Sequence, residues 1–420
     1  MADSAIERAS HSDVVNQIAP VPRISIQAFC ESAEVAEVIE SAAADRRMSK
    51  AHVKVHMGGV PAAIEAYRTA PTPNLIVLET YSERGTLVDQ LDSLSEFCDA
   101  GTKVMVIGHE NDISLYRELT MRGVSDYVVA PIDILGFIGQ VSHLYNGTSA
   151  EVLGRVIAVV GAKGGVGAST VAHNIAWSIS RLLEYQTVIV DLDLPFGTAG
   201  LDFNQDPPQG VADAVFAPER LDANFVDRLL SKCSDTLSIL AAPATVDRLY
   251  DLPEQAFDAT LDILRSTVPC AVLDVPHQWT AWSKRVLVAA DEVVIVAAPD
   301  LANLRNTKTI IDSLRASRAN DHPPRVVLNM VGVPRRPEIS LSEFTKAIEV
   351  DPFGVVPFEP KLFGTAANNG QMLAEVEAGS KIVETLDDIG RALMGRVTSR
   401  RVKKTLLTPL LERLSRKKAG

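Results

Sequence analysis

The chain has 420 residues, 46% of them hydrophobic and 22% charged, with a formal net charge of −12. That length and composition suit two or three folded domains and exclude a disordered or collagen-like chain. Four widely spaced cysteines with no CxxC pair argue against a disulfide framework and against a cysteine zinc site. The charge is uneven: residues 396–420 hold nine Lys or Arg and one Glu, a net +8, which leaves −20 on the rest. An acidic body repels DNA and anionic membrane at long range, whereas the tail attracts either.

Residues 1–20 are polar and aperiodic and end in Pro20, as a loose arm does. They carry no apolar signal core, and no uncharged apolar run reaches the roughly 18 residues of a membrane span, so a cytoplasmic protein is expected. From 21 to 145, short apolar runs alternate with helical patterns. The runs are RISIQAF (23–29), HVKVHM (52–57), NLIVLE (74–79), KVMVIG (103–108) and DYVVAP (126–131). Such alternation predicts a parallel α/β sheet. The polar stretch 143–154 reads as a linker. A second alternation runs from Arg155 to about 395, with strands predicted at 155–160, 187–191, 237–241, 270–275, 292–297 and 325–330. Several are apolar almost throughout, as in strands covered on both faces of a doubly wound parallel sheet.

The stretch RVIAVV, GAKGGVGAST, VAHNIAWSISRLL (155–183) is strand, glycine loop, helix. Backbone amides of such a loop and the helix N-terminus converge on an anion. The usual phosphate-loop spacing fails at two places, because Ala162 replaces its first glycine and Ala168 its lysine. A strand-to-helix turn that needs glycine only for close packing is the plainer alternative.

The segment nevertheless resembles the deviant phosphate loop of the ParA/MinD superfamily in Lys163, Gly164, Gly165, Gly167, Ser169 and Thr170, with Val166 at its variable position, and departs from it at Ala168. That resemblance implies a P-loop ATPase domain over 155–395 that binds ATP and magnesium. It implies that Lys163 reaches across a homodimer to the partner's phosphates, that Ser169 ligates magnesium and that Thr170 contacts a phosphate oxygen. In VIVDLDLPFG (188–197), Asp193 would orient the attacking water and Asp191 would lie near the metal. Asp274, in CAVLDVPH, matches the strand-end aspartate that holds magnesium, although HQW follows where relatives carry a glycine. Asn329 stands where relatives recognise adenine, and Pro357 lies in the segment that packs on the purine. Without a lysine at 168, hydrolysis is expected to be slow, since phosphoryl transfer depends on positioning and electrostatics.

Residues 21–145 resemble a response-regulator receiver, a flavodoxin-like domain, in PNLIVLET (73–80) and RGVSDYVVAPID (122–133). The phosphorylation set is depleted. Glu79 stands for the acceptor aspartate, Glu31 alone remains of the acidic pair, Gly108 replaces a hydroxyl residue, and Ala130 precedes Pro131 where a lysine is usual. The implied role is docking or dimerisation.

In the tail, Val402, Leu406, Leu407, Leu410, Leu411 and Leu414 fall on one helical face, and Pro409 interrupts the pattern. An anionic membrane surface, a partner groove and a solvated basic end stay equally open there. A receiver-like domain followed by KGGVGAST resembles the TadZ/CpaE family, localisation ATPases of tight-adherence (Flp) pilus assembly. The resemblance implies pilus machinery as partner, such as a secretion ATPase or a polar localisation factor, and a focal or polar position at the inner face of the membrane. Rival readings are a ParA-like DNA partition ATPase, disfavoured by the acidic body, and a nucleotide-free scaffold.

Overall fold

The computed structural model describes residues 18–146, 153–246 and 248–395. The basic tail, all but the last three residues of the N-terminal arm and the middle of the expected linker lie outside these residues.

Strands β1 (Ser25–Cys30), β2 (His52–Met57), β3 (Leu75–Thr80), β4 (Lys103–Gly108) and β5 (Asp126–Val129) form a parallel sheet in the order β2-β1-β3-β4-β5. This is the flavodoxin-like, doubly wound order. Side chains alternate across β3: Leu75 and Val77 face the helices Ala33–Ala43 and Ile134–Asn146, while Ile76 and Leu78 face Gly59–Tyr67 and Arg84–Ser95. All six β3 residues are buried, as expected of a central strand covered on both faces. The last helix runs through Asn146, so residues 143–146 of the expected linker are helical. Phe137, Ile138 and Val141 pack that helix into the core, and Tyr145 donates to the carbonyl of Asn74, which holds its final turn.

The second sheet contains β6 (Arg155–Gly161), β7 (Thr187–Asp191), β8 (Ser231–Lys232), β9 (Leu237–Leu240), β10 (Cys270–Val275), β11 (Glu292–Ala297), β12 (Arg325–Val331) and β13 (Pro352–Pro357). Their order is β13-β12-β11-β6-β10-β7-β9-β8, and only the β8–β9 pair is antiparallel. Ile157 and Val159 of β6 pack against the helices Ala168–Leu183 and Lys381–Leu393, and Val156, Ala158 and Val160 pack on the opposite face. The sequence pattern did not mark β8 or β13. β8 has two residues, and β13, bounded by Pro352 and Pro357 with Gly354 inside, occupies the sheet edge where proline is tolerated. At Gly354 a Cβ would lie 2.5 Å from Ile389 Cδ1, so a larger residue there would displace the end of that side chain.

A buried ion network joins the two sheets. The single turn Arg46–Met48 directs Arg46 Nε and Arg47 Nη2 to the two carboxylate oxygens of Asp321, each at 2.5 Å. Arg318 Nε meets the same carboxylate at 3.0 Å, and Asn320 Nδ2 donates to Asp45 at 2.9 Å. Arg46 also donates to the carbonyl of Ala289, and Lys50 pairs with Asp262. Burial works to raise the Asp321 carboxyl, but the guanidinium groups of Arg46, Arg318 and Arg47 outweigh it and hold the group below the usual carboxylate range.

Asp321→Ala leaves three buried guanidinium groups short of their shared carboxylate, and it is expected to cost about 3–5 kcal/mol in urea unfolding at pH 7. Because the folded carboxyl is depressed, this stabilisation is complete above the unfolded value and is lost as pH falls through the folded one. The gap between parent and variant should therefore narrow below about pH 4.

Candidate functional site

The strand β6 ends at Gly161, and the helix Ala168–Leu183 begins after six intervening residues. Gly165 and Gly167 adopt φ of 77° and 80°, a left-handed conformation that favours glycine. Gly167 is the helix N-cap and offers no side chain, so the first-turn amides have no side-chain cap. An uncapped N-terminus facing a glycine loop is an anion site in waiting. Positions 164 and 165 face open space.

Three side chains secure the loop from behind. Asn329 Nδ2 donates to the carbonyl of Val166 at 2.8 Å, and Asn306 Nδ2 to that of Ala162 at 2.8 Å. His277 Nδ1 lies 2.8 Å from the carbonyl of Gly161. A Cβ on Gly167 would come within 2.7 Å of Asn329 Nδ2, so Gly167 also admits the side chain that braces its neighbour. Lys163 is exposed. Its ammonium helps hold Asp300 below the usual carboxylate range, after burial, which opposes this, and the Asn303 hydrogen bonds, which favour it. Ser169 and Thr170 are half-buried in the first helical turn, and Ala168 packs against the apolar layer under the helix.

The acids gather at the carboxyl ends of the neighbouring strands. Asp191 and Asp274 are register partners on β7 and β10, and both are buried. Asp191 accepts from the amides of Asp193 (3.1 Å) and Ala199 (3.0 Å), so it wraps the loop 193–199 around its own carboxylate. A Cβ on Gly197 would lie 2.3 Å from Asp191 Oδ2, which explains glycine at that bend. Burial, and then Asp274, push the Asp191 carboxyl well up. Asp193 is half-buried, accepts from the Phe196 amide at 3.3 Å, and is also raised, chiefly by burial.

Between these acids stands His173, a residue the sequence reading passed over. It is fully buried in the second turn of the loop's own helix. Nδ1 lies 2.7 Å from Asp202 Oδ2, and Nε2 lies 3.5 Å from Asp274 Oδ2. Burial disfavours a charged ring, but the hydrogen bond to Asp202 and the negative charge of the nearby Asp274 outweigh it and push the pKa up to about 10. A histidine inside the apolar run VAHNIAW was the one available signal.

The structure thus brings Lys163 through Thr170, Asp191, Asp193, Asp274 and Asn329 to one end of the sheet. Pro357 stands at the carboxyl end of the edge strand β13, as register partner of Val331. Among the described residues no group of three or more His, Cys, Asp or Glu could hold a metal by itself. Ser169 with Asp274 suits a magnesium ion that takes most of its ligands from phosphate and water. Phe196, Trp279 and Leu301, all exposed, lie on the segments that follow β7, β10 and β11.

In the N-terminal sheet Glu79 is fully buried at the end of β3. Its carboxylate accepts from the amides of Glu31 and Ser32, each at 2.8 Å, and from the Ser32 hydroxyl at 2.6 Å, and it lies 3.2 Å from His109 Nε2. Gly108 is required by Tyr127, whose Oη would stand 2.0 Å from a Cβ at that position.

A phosphate-type loop after the central strand of a parallel sheet, followed by strand-end aspartates, defines a P-loop nucleoside-triphosphatase fold. Residues 153–394 match the ParA family model, described as "NUBPL iron-transfer P-loop NTPase", and the chain belongs to that family. It is 24% identical over 253 residues to the septum site-determining protein MinD of Synechocystis, covering 58% of this chain and 91% of that one. A ParA family ATPase from Chlorobium tepidum is 25% identical, with 57% of this chain and 98% of that chain covered at a TM-score of 0.51. The pilus assembly protein CpaE of Caulobacter crescentus is 50% identical over 30% of this chain and 96% of that chain, at a TM-score of 0.30. Among the described residues no helix is long and apolar enough to cross a membrane.

With its carboxylate engaged by Glu31, Ser32 and His109, Glu79 is not expected to act as a phosphate acceptor. Incubation with acetyl phosphate followed by intact-mass measurement should show no adduct on the N-terminal domain. Glu79→Ala should lower stability by about 2–3 kcal/mol, because buried donors lose a charged acceptor.

Proposed function

We propose that this chain is an ATP-operated dimeric switch that places and helps assemble a tight-adherence (Flp) type IV pilus secretion system, hydrolysing ATP slowly. One observation carries the nucleotide reading. The helix after β6 presents an uncapped N-terminus behind left-handed Gly165 and Gly167, in a loop braced through Asn306, Asn329 and His277. Phosphates are held there by the amides of Gly164 through Thr170, with Ser169 and Asp274 as magnesium ligands and Asp191 near them. Magnesium, when bound, neutralises phosphate charge. Asp193 has the place of the residue that orients water, and Pro357 with the segment after it that of the purine contact.

Lys163, exposed beside the loop, is free to reach a second copy, and Phe196, Trp279 and Leu301 supply apolar contact area on the same face. The pilus assignment rests on the pairing read from the sequence: a receiver-like domain over 21–145 with Glu79 in place of aspartate, then KGGVGAST opening a ParA-type domain over 155–395. The N-terminal domain recruits pilus machinery, and the basic tail serves an anionic membrane surface at the cytoplasmic side. The −20 charge outside that tail disfavours a DNA partner.

Equilibrium sedimentation should show a dimer that requires ATP and magnesium, and Lys163→Ala should weaken it. If that variant dimerises like the parent, Lys163 has no role across the interface. Turnover should be slow, and Ala168→Lys should raise it by on the order of 10²-fold, since one donor at the transferring phosphoryl group is worth about that much. Asp193→Ala should abolish it.

A further inference from the structure

Two buried carboxylates stand side by side at the ends of β7 and β10, and like charges directly opposite in a sheet destabilise it. Across 161–202 the basic side chains are Lys163, His173 and Arg181. Lys163 is exposed beside Asp300, and Arg181, in the last turn of the helix, pairs with Asp387 at 2.9 Å. His173 is therefore the basic group of this stretch that reaches the acid pair. Its ring is fully buried, with Phe203 packed 5.8 Å from it, centroid to centroid.

Each ring nitrogen faces a different part of the site. Nδ1 meets Asp202, the last residue of the short helix Ala199–Asp202 that closes the loop wrapped around Asp191. Nε2 has no hydrogen-bond partner and is directed at Asp274 Oδ2 from 3.5 Å. A buried polar atom left unsatisfied calls for an explanation. Here a small shift of the Asp274 carboxylate would satisfy it.

We propose that His173 is a positioning residue that sets the Asp274 carboxylate from beneath and ties its placement to the 193–203 segment through Asp202. The inference rests on the nucleotide reading above and adds a role for this ring. Asp274 has one oxygen drawn toward His173, which leaves the other side of the carboxylate for the cation. Movement of Asp202 with its loop pulls on the same ring. The magnesium-dependent part of nucleotide affinity thus depends on His173, while the part made by backbone amides does not.

The test compares ATP affinity of the full-length chain in magnesium and in EDTA, for the parent, His173→Gln and Asp202→Asn. The parent should bind more tightly in magnesium. His173→Gln should lose that gain by on the order of 10-fold, as removal of the partner of a metal-binding carboxylate does, with EDTA affinity unchanged. Asp202→Asn, partly exposed and so tolerant of folding, should lose it in the same direction. The inference is overturned if either variant keeps the parent's full magnesium gain, or if affinity falls equally in EDTA. A parent that binds no nucleotide in either condition overturns the nucleotide reading instead, and a well-folded parent is confirmed beforehand by its unfolding transition.

Discussion

Asp191 and Asp274 lie next to each other in the register of two central parallel strands, both out of water. Two carboxylates so placed repel unless something answers their charge. Asp191 is answered by amides, those of Asp193 and Ala199, so the loop after β7 is folded by the need to solvate it. Asp274 is faced by His173, whose Nε2 lies 3.5 Å from its Oδ2. The packing that covers this end of the sheet, from Gly197 to Phe203, follows from that arrangement.

The glycine loop is organised from the other side. Its carbonyls at Gly161, Ala162 and Val166 are engaged by side chains that follow β10, lie within the helix Leu301–Ser317, and end β12. That helix begins at Asp300, beside Lys163, and its C-cap is Arg318 in the ion network shared with the N-terminal sheet. The helix Ala281–Ala289 likewise follows His277 and ends at the carbonyl taken by Arg46. Two rigid elements therefore run from the phosphate-type loop to the contact between the domains, and breaking a buried pair at that contact is costly.

Much of this was legible in the sequence. All eleven predicted strands form, because continuous apolar runs bounded by helical patterns leave few alternatives in a parallel sheet. The edge strand β13 was hidden by its two prolines, and β8 by its length. The glycine loop was visible through its resemblance to the ParA/MinD phosphate loop, whereas what braces it was not, since Asn306 and Asn329 come from more than 140 residues away. Glu79 was recognised as a replaced aspartate, but its engagement by Glu31, Ser32 and His109 depends on the β1–β3 pairing. The Arg46–Asp321 contact joins residues separated by 275 positions, and no local pattern marks either one. His173 was visible only as a polar residue on an apolar face, and its partners appear once the strands are ordered.

With Ala168 in place of a lysine, the proposed phosphate binding would have to come from the backbone amides of the loop. Hydrogen exchange at the amides of residues 163–170, with and without ATP and magnesium, reads that binding directly. Strong slowing of exchange in this stretch on adding nucleotide is the expected result. Unchanged exchange there at saturating ATP would contradict the account, because amides that bind phosphate are withdrawn from solvent.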